Sequence, residues 1–228
     1  MGKLWVYGCS FSCNFQDLHF LPQIPIDKGW PGILSKNLGL KLIDRALPGY
    51  GWNHIVAQLD DDLVNNRINK GDLIILSPSY FQRLTFPELQ DNKIIFDRKE
   101  GAGDWVGLTA RYSKSHSEVV NLNIKRFYYK IKTLKELGYN IFGWCWTPEK
   151  DRYVSCTNKY LLEIKDYLIP TPDNTLFWED WILQNPKCML VPGKPLLPGI
   201  GFEGDTHFSQ YGHKITAEHF FSYLSHIY

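Results

Sequence analysis

The chain begins with a short apolar run, Leu4–Tyr7, that stops at Gly8. A run without polar alternation predicts a strand covered on both faces. Leu40–Asp44, Leu73–Leu76 and Ile141–Trp146 predict three more strands, the third of the four entered through Gly71-Asp72. Between these runs the apolar positions step at helical intervals. Trp30, Ile33, Leu34 and Leu38 share one face of a helix that ends at Gly39. After the Pro48-Gly49 turn, a second helix runs from about Asn53 through Ile55, Val56, Leu59 and Leu63. From Ser117 to Gly138, Val120, Ile124, Phe127, Ile131 and Leu134 line one stripe of a third. Cys156–Leu168 and Thr175–Leu183 predict shorter helices, and Ser209 is placed to N-cap a closing helix to about His226. Pro186, Pro192, Pro195 and Pro198 predict extended loop across 186–198.

Strand-helix alternation with short connections predicts an α/β protein: a three-layer α/β/α sandwich around a mainly parallel sheet. The 228 residues fit a single domain, 1–228, with an irregular insertion at about 84–114 and a Pro-rich loop at about 186–204. Charge changes the picture by exclusion. Twenty-five Lys+Arg against twenty-four Asp+Glu leave a formal charge of +1, no electrostatic basis for binding nucleic acid or an acidic membrane surface. No run approaches the ~20 apolar residues of a spanning helix. The five cysteines form no CxxC and no Cys/His zinc spacing, so neither a metal nor a disulfide scaffold is expected. With an N-terminus that lacks a signal-type apolar region, the expected location is cytoplasmic. The unusual quantity is the aromatic share, 15% of the chain, with eight Trp.

In open α/β sheets, reactive groups gather beyond the carboxyl ends of the strands. Three segments stand there. Gly8-Cys9-Ser10-Phe11-Ser12 follows the first strand and offers Ser10 where a turn leaves backbone N–H groups free, or simply a turn-capping serine. Gly49-Tyr50-Gly51-Trp52-Asn53 follows the second, with glycines that let backbone donors approach a ligand. Gly204-Asp205-Thr206-His207 precedes the last helix, and in extended chain Asp205 and His207 point the same way, so the carboxylate can orient the imidazole. His213 lies six residues further on, inside that helix, and reads as structural. Trp52, Trp146 and Arg83 are candidate substrate contacts, although rings in such segments commonly belong to the core.

In order and separation these segments resemble the SGNH hydrolase superfamily, the GDSL-type esterases and lipases. Val6-Tyr7-Gly8-Cys9-Ser10-Phe11-Ser12 is similar to its Gly-Asp-Ser block, Asp44-Arg45-Ala46-Leu47-Pro48-Gly49 to its second block, and Asp205-Thr206-His207-Phe208-Ser209 to its last. Gly29-Trp30-Pro31-Gly32-Ile33-Leu34 is similar to a first-helix segment of bacterial and phage members. The resemblance implies a flavodoxin-like sheet, Ser10 as nucleophile, His207 as base, Asp205 as its orienting acid, and Ser10 and Gly49 as backbone oxyanion donors. It implies no cofactor. The chain departs from the pattern at Cys9, where Asp is usual, and at Asp44, where Asn is usual. Asp-x-His also replaces the commoner Asp-x-x-His, which leaves a triad or a Ser-His dyad open. After the third strand the family has Gly-x-Asn-Asp, whereas this chain has Ser77-Pro78-Ser79-Tyr80-Phe81-Gln82-Arg83, leaving Ser79, Tyr80 or Gln82 as a third oxyanion donor. The implied partner is a small-molecule or glycan ester, with removal of an acetyl-like group as the expected reaction. A non-catalytic glycan-binding module and a sugar O-acyltransferase are the alternatives.

Overall fold

A computed structural model describes residues 2–14, 29–48, 51–78, 87–90, 93–96, 113–146, 158–197 and 201–226; over 87–90, 93–96, 113–119, 191, 193–197 and 201–206 the description is of the backbone alone. Four parallel strands form the central sheet: β1 (Lys3–Tyr7), β2 (Lys41–Asp44), β3 (Leu73–Leu76) and, once two strands of a separate hairpin, β4 (Pro87–Gln90) and β5 (Lys93–Phe96), have been passed, β6 (Asn140–Gly143). Their order is β2-β1-β3-β6, with Val6 beside Asp44 on one side and beside Ile75 on the other. This flavodoxin-like order places a topological switch point between β1 and β3. Helices α1 (Trp30–Leu38), α2 (Trp52–Val64) and α3 (Ser113–Glu136) connect them, followed by α4 (Lys159–Glu163), α5 (Trp178–Gln184) and α6 (Gln210–Leu224).

The strands are apolar throughout because each face of the sheet has its own core. Trp5, Tyr7, Ile74, Leu76 and Ile141 meet Trp52, Ile55 and Leu59 of α2 and Ile124, Phe127 and Ile131 of α3. Leu4, Val6, Leu73, Ile75, Phe142, Trp144 and Trp146 turn the other way, against α1, α5 and α6 through Trp30, Leu34, Trp178, Ile182, Ala217 and Phe220. Alternation of side chains along a strand makes this division automatic. The predicted three-layer α/β class is therefore the observed one.

Two buried carboxylates tie the layers. Asp72, just before β3, accepts from the Lys3 and Asn69 backbone N–H groups at 3.0 Å each and from Trp5 Nε1 at 3.1 Å. Asp62, on α2, accepts from the Tyr7 hydroxyl at 2.8 Å, from Arg45 Nε and Nη2 at 2.9 and 2.8 Å, and from Arg67 Nη1 at 2.9 Å. Burial alone would push the Asp62 carboxyl up, but the hydrogen bonds from Arg67, Tyr7 and Arg45 outweigh it and hold it below the usual carboxylate range.

Several elements differ from the sequence expectation. The Pro-rich segment is not loop: a 3-10 turn, Pro186–Cys188, leads into β7 (Met189–Leu197), which pairs antiparallel with β8 (Gly201–Phe208). The ladder shifts register between Met189 and Val191, between Val191 and Lys194, and between Pro195 and Leu197. A two-stranded ribbon tolerates proline at such irregularities because the missing N–H need not face a partner. The insertion holds the β4–β5 hairpin, and α3 starts at Ser113, a turn earlier than its apolar stripe. The Cys156–Leu168 helix is reduced, within the described residues, to α4 and a 3-10 turn, Lys165–Tyr167. The fourth strand pairs regularly only to Gly143. Beyond it Trp144 N–H still donates to the Leu76 carbonyl of β3 at 3.2 Å, while Trp178 N–H donates to the Cys145 carbonyl at 3.0 Å and Glu179 N–H to the Trp146 carbonyl at 3.1 Å, so residues 145 and 146 gain a new neighbour. No helix among the described residues is long and apolar enough to cross a membrane.

Replacing Asp62 by Ala leaves the Tyr7 hydroxyl and one arginine without their acceptor. The arginines are partly solvated, so the expected loss in urea unfolding is about 2–3 kcal/mol, below the 3–5 of a fully buried pair. Because the folded carboxyl titrates below its unfolded value of 3.8, its contribution is complete above that pH and is lost as the pH falls further. The acid limb of the stability curve should therefore be shallower in Asp62→Ala.

Candidate active site

β1 delivers the first group. After Tyr7 the chain passes Gly8 and Cys9 and closes a 3-10 turn, Ser10–Ser12, with Ser12 N–H donating to the Cys9 carbonyl at 2.9 Å. Gly8 is dictated by space: a Cβ there would fall 2.6 Å from Ser12 Cβ and 3.3 Å from Ser77 Cβ. On either side, Leu47 N–H donates to the Gly8 carbonyl and Ser77 N–H to the Tyr7 carbonyl, which extends the ladder to the switch point. Ser10 stands there, part-exposed.

β8 delivers the second. Its last residue, Phe208, is buried among Trp144, Trp146 and Trp178. The preceding side chain must point to the opposite side, and it is His207. The Ser209 hydroxyl accepts from Gly212 N–H at 3.0 Å as the N-cap of α6, while Ser209 N–H donates to the Cys188 carbonyl, so the exit of the strand is pinned. His207 Nε2 then lies 2.7 Å from Ser10 Oγ, across 197 positions of sequence. With Nε2 as the bare nitrogen, the serine donates to it, which is the arrangement from which a base removes the proton.

The surroundings are aromatic and largely dry. Phe11, next to Ser10, is sandwiched: its ring lies 4.3 Å from the His207 ring and 3.8 Å from that of Trp146, each at 14°. Trp30 Nε1 donates to the Phe11 carbonyl at 2.8 Å, and the Trp30 backbone N–H, an otherwise orphan donor of the first turn of α1, donates to His213 Nδ1 at 3.1 Å. Burial, with a smaller contribution from nearby His207, holds the His213 imidazole down to about 3. It is a neutral acceptor joining α6 to α1, as expected of a structural histidine. Asp44 also has a structural task, accepting the Asn14 and Ala46 backbone N–H groups at 2.7 and 3.0 Å.

Two of the candidate contacts need correction. Trp52 and Trp146 are fully buried, Trp52 edge-on to Phe127 beneath α2 and Trp146 behind Phe11, so neither offers a face to a ligand. Gly49, Ser79, Tyr80, Gln82 and Arg83 lie outside the described residues. Asp205 is placed by its backbone alone, opposite Val191 in the β7–β8 ladder. The structure thus brings Ser10 and His207 together. Phe11, Trp30 and His213 support them in a way the sequence pattern did not single out, since what joins them is packing between α1, α6 and the first turn. Among the described residues no three His, Cys, Asp or Glu side chains converge as metal ligands would, and Cys9, Cys13, Cys145 and Cys188 are buried thiols outside any disulfide.

Solved hydrolases share this fold. The chain superposes with a TM-score of 0.54 on LAE5, an α/β hydrolase enzyme from the metagenome of Lake Arreo, Spain, at 12% identity over 98% of this chain and 95% of that one. It also superposes on a carbohydrate esterase whose active site displays divergent catalytic and non-catalytic binding functions, with a TM-score of 0.50 and 11% identity. That match covers 99% of this chain and 65% of the other. No family model and no curated protein matches the sequence. The shared architecture agrees with the α/β fold expected from the sequence.

Because His213 stays neutral when folded but titrates near 6.5 when unfolded, its contribution to stability is full above that pH and falls away as the pH drops toward about 3. One such proton steepens the loss by about 1.4 kcal/mol per pH unit across that window. His213→Gln is expected to flatten the stability–pH curve between pH 6 and 4 by about that amount, read by chemical unfolding at several pH values.

Proposed function

We propose that this protein is a serine ester hydrolase of SGNH type that removes a small, acetyl-like acyl group from a carbohydrate or another small uncharged ester. The observation that carries the reading is the 2.7 Å contact between Ser10 Oγ and His207 Nε2 at the switch point of the sheet. In the proposed reaction Nε2 takes the hydroxyl proton as Oγ attacks the ester carbonyl. The tetrahedral intermediate collapses when the protonated His207 returns that proton to the departing alcohol, leaving Ser10 acylated. Water, deprotonated by His207, then attacks the acyl group and regenerates the serine. Ser10 and Gly49 supply backbone N–H groups to the oxyanion, with Ser79, Tyr80 or Gln82 as the third donor and Asp205 as the acid behind His207.

The near-neutral charge of the chain supports an uncharged substrate, and the likeness to a carbohydrate esterase supports a sugar ester. Aromatic stacking from Trp52 and Trp146 no longer does. Arg83 is retained as a candidate substrate contact. The missing Asn after β3 favours a second reading, a non-catalytic module of the same fold that binds glycans. A sugar O-acyltransferase would share the acyl-enzyme and differ only in the acceptor.

The test is fluorophosphonate labelling with the modified residue located by mass, beside turnover of an activated acetyl ester. Label on Ser10 is expected, with turnover falling about 10³-fold or more in Ser10→Ala and in His207→Ala. Folded protein that neither labels nor turns over, yet binds glycans undiminished by Ser10→Ala, would establish the binding module instead. Product analysis with a sugar acceptor separates transfer from hydrolysis.

A further inference from the structure

The Trp146–Phe11–His207 stack has a consequence for how the base is held. A hydrogen bond from Ser10 to Nε2 places one atom of the imidazole but does not by itself set the plane of the ring. A flat surface against the ring face does set it. Phe11 supplies such a surface at 4.3 Å and 14°, and Phe11 is itself immobilised from behind by Trp146 at 3.8 Å and 14°. Both rings are almost completely buried, at 4% and 0% exposure, so the platform has no room to rotate. Its backbone is fixed as well, by the Trp30 Nε1 donation to the Phe11 carbonyl. Phe11 and Ser10 are adjacent in the same 3-10 turn, so one rigid turn carries both the nucleophile and the surface that aligns its base.

We infer that Phe11, backed by Trp146, is a positioning residue that sets the plane of the His207 imidazole for proton transfer from Ser10. This rests on the ester-hydrolase reading. Transfer demands a near-linear path from Oγ to Nε2, and small misplacements of reacting groups cost up to about a hundredfold in rate. The platform acts on the chemical step and touches no substrate, so its removal lowers kcat and leaves KM nearly alone.

The experiment compares Phe11→Leu, which keeps the apolar volume and loses the flat ring, with Phe11→Tyr, which keeps the ring. Turnover of an activated acetyl ester and the His207 ring-proton shifts by NMR are measured in each. In Phe11→Leu, kcat is expected to fall about 10–100-fold with KM within about twofold, and the ring-current shift of the His207 protons to disappear. In Phe11→Tyr both return most of the way to the parent values. Trp146→Leu, which keeps Phe11 and removes its backing, is expected to give a smaller fall in kcat and a broadened His207 signal. Unchanged kcat in Phe11→Leu, a loss confined to KM, or an equal loss in Phe11→Tyr would overturn the inference. If Phe11→Leu does not fold, Trp146→Leu decides by the same two readings. A parent protein that shows the shifted His207 protons but neither labels nor turns over would overturn the hydrolase reading, and with it a catalytic task for the stack.

Discussion

The aromatic core between the sheet and helices α1, α5 and α6 is what the rest of the molecule depends on. Ser10 and His207 are 197 positions apart, and the hydrogen bond between them contributes only about 1 kcal/mol net. Burial of a large apolar side chain contributes about 1.5–3 kcal/mol. Trp30, Trp144, Trp146, Trp178, Phe208 and Phe220 together far exceed one polar contact, and they belong to β6 and its extension, β8, α1, α5 and α6 at once. Their edge-to-face contacts, Trp144 against Trp30, Trp146 and Trp178 for instance, fix mutual orientation as well as distance. Both halves of the site are mounted on this layer around Trp146: the Ser10 turn through Phe11, stacked on the Trp146 ring, and His207 through Phe208, edge-on to it. The pair meets because the layer is rigid.

Several polar groups buried elsewhere in the protein act as ties. Asp62 and Asp72 hold the central strand β1 to neighbouring segments by several charge-assisted hydrogen bonds each. His213 works in the opposite electrical sense, as a neutral acceptor whose protonation burial opposes. The two histidines near the site are thereby assigned different tasks by their surroundings. His207, part-exposed, faces a serine hydroxyl, and His213 caps a helix from within the core.

Much of the fold is legible in the residues. Three of the four central strands fall within one residue of the apolar runs, Leu73–Leu76 coinciding with β3, and the fourth starts within one residue but ends three short, because two-sided burial admits little else there. Gly39 ends α1 with φ of 66°, and Ser209 caps α6, since these terminators act locally. The misreadings are long-range. The prolines of β7 read as loop because their tolerance depends on a partner strand, with Pro195 opposite Phe202, and on an edge that no other strand among the described residues occupies. Trp52 and Trp146 looked like ligand surfaces because a strand-end position does not tell which way a ring turns. Val6-to-Ser12 and Asp205-to-Ser209, by contrast, carried the candidate pair in their order along the chain.

By itself, then, the sequence determined the class of the fold and the positions of the central strands, because period and caps are local properties, and it pointed to Ser10 and His207 through the resemblance of their blocks to the SGNH pattern. Only the tertiary structure decided that Ser10 Oγ and His207 Nε2 come to 2.7 Å, that the tryptophans form a scaffold and not a cleft, and that Phe11 lies flat between the base and Trp146. Those outcomes depend on how several elements pack across the sheet, and close packing is a property of the assembled layers that no spacing along the chain contains.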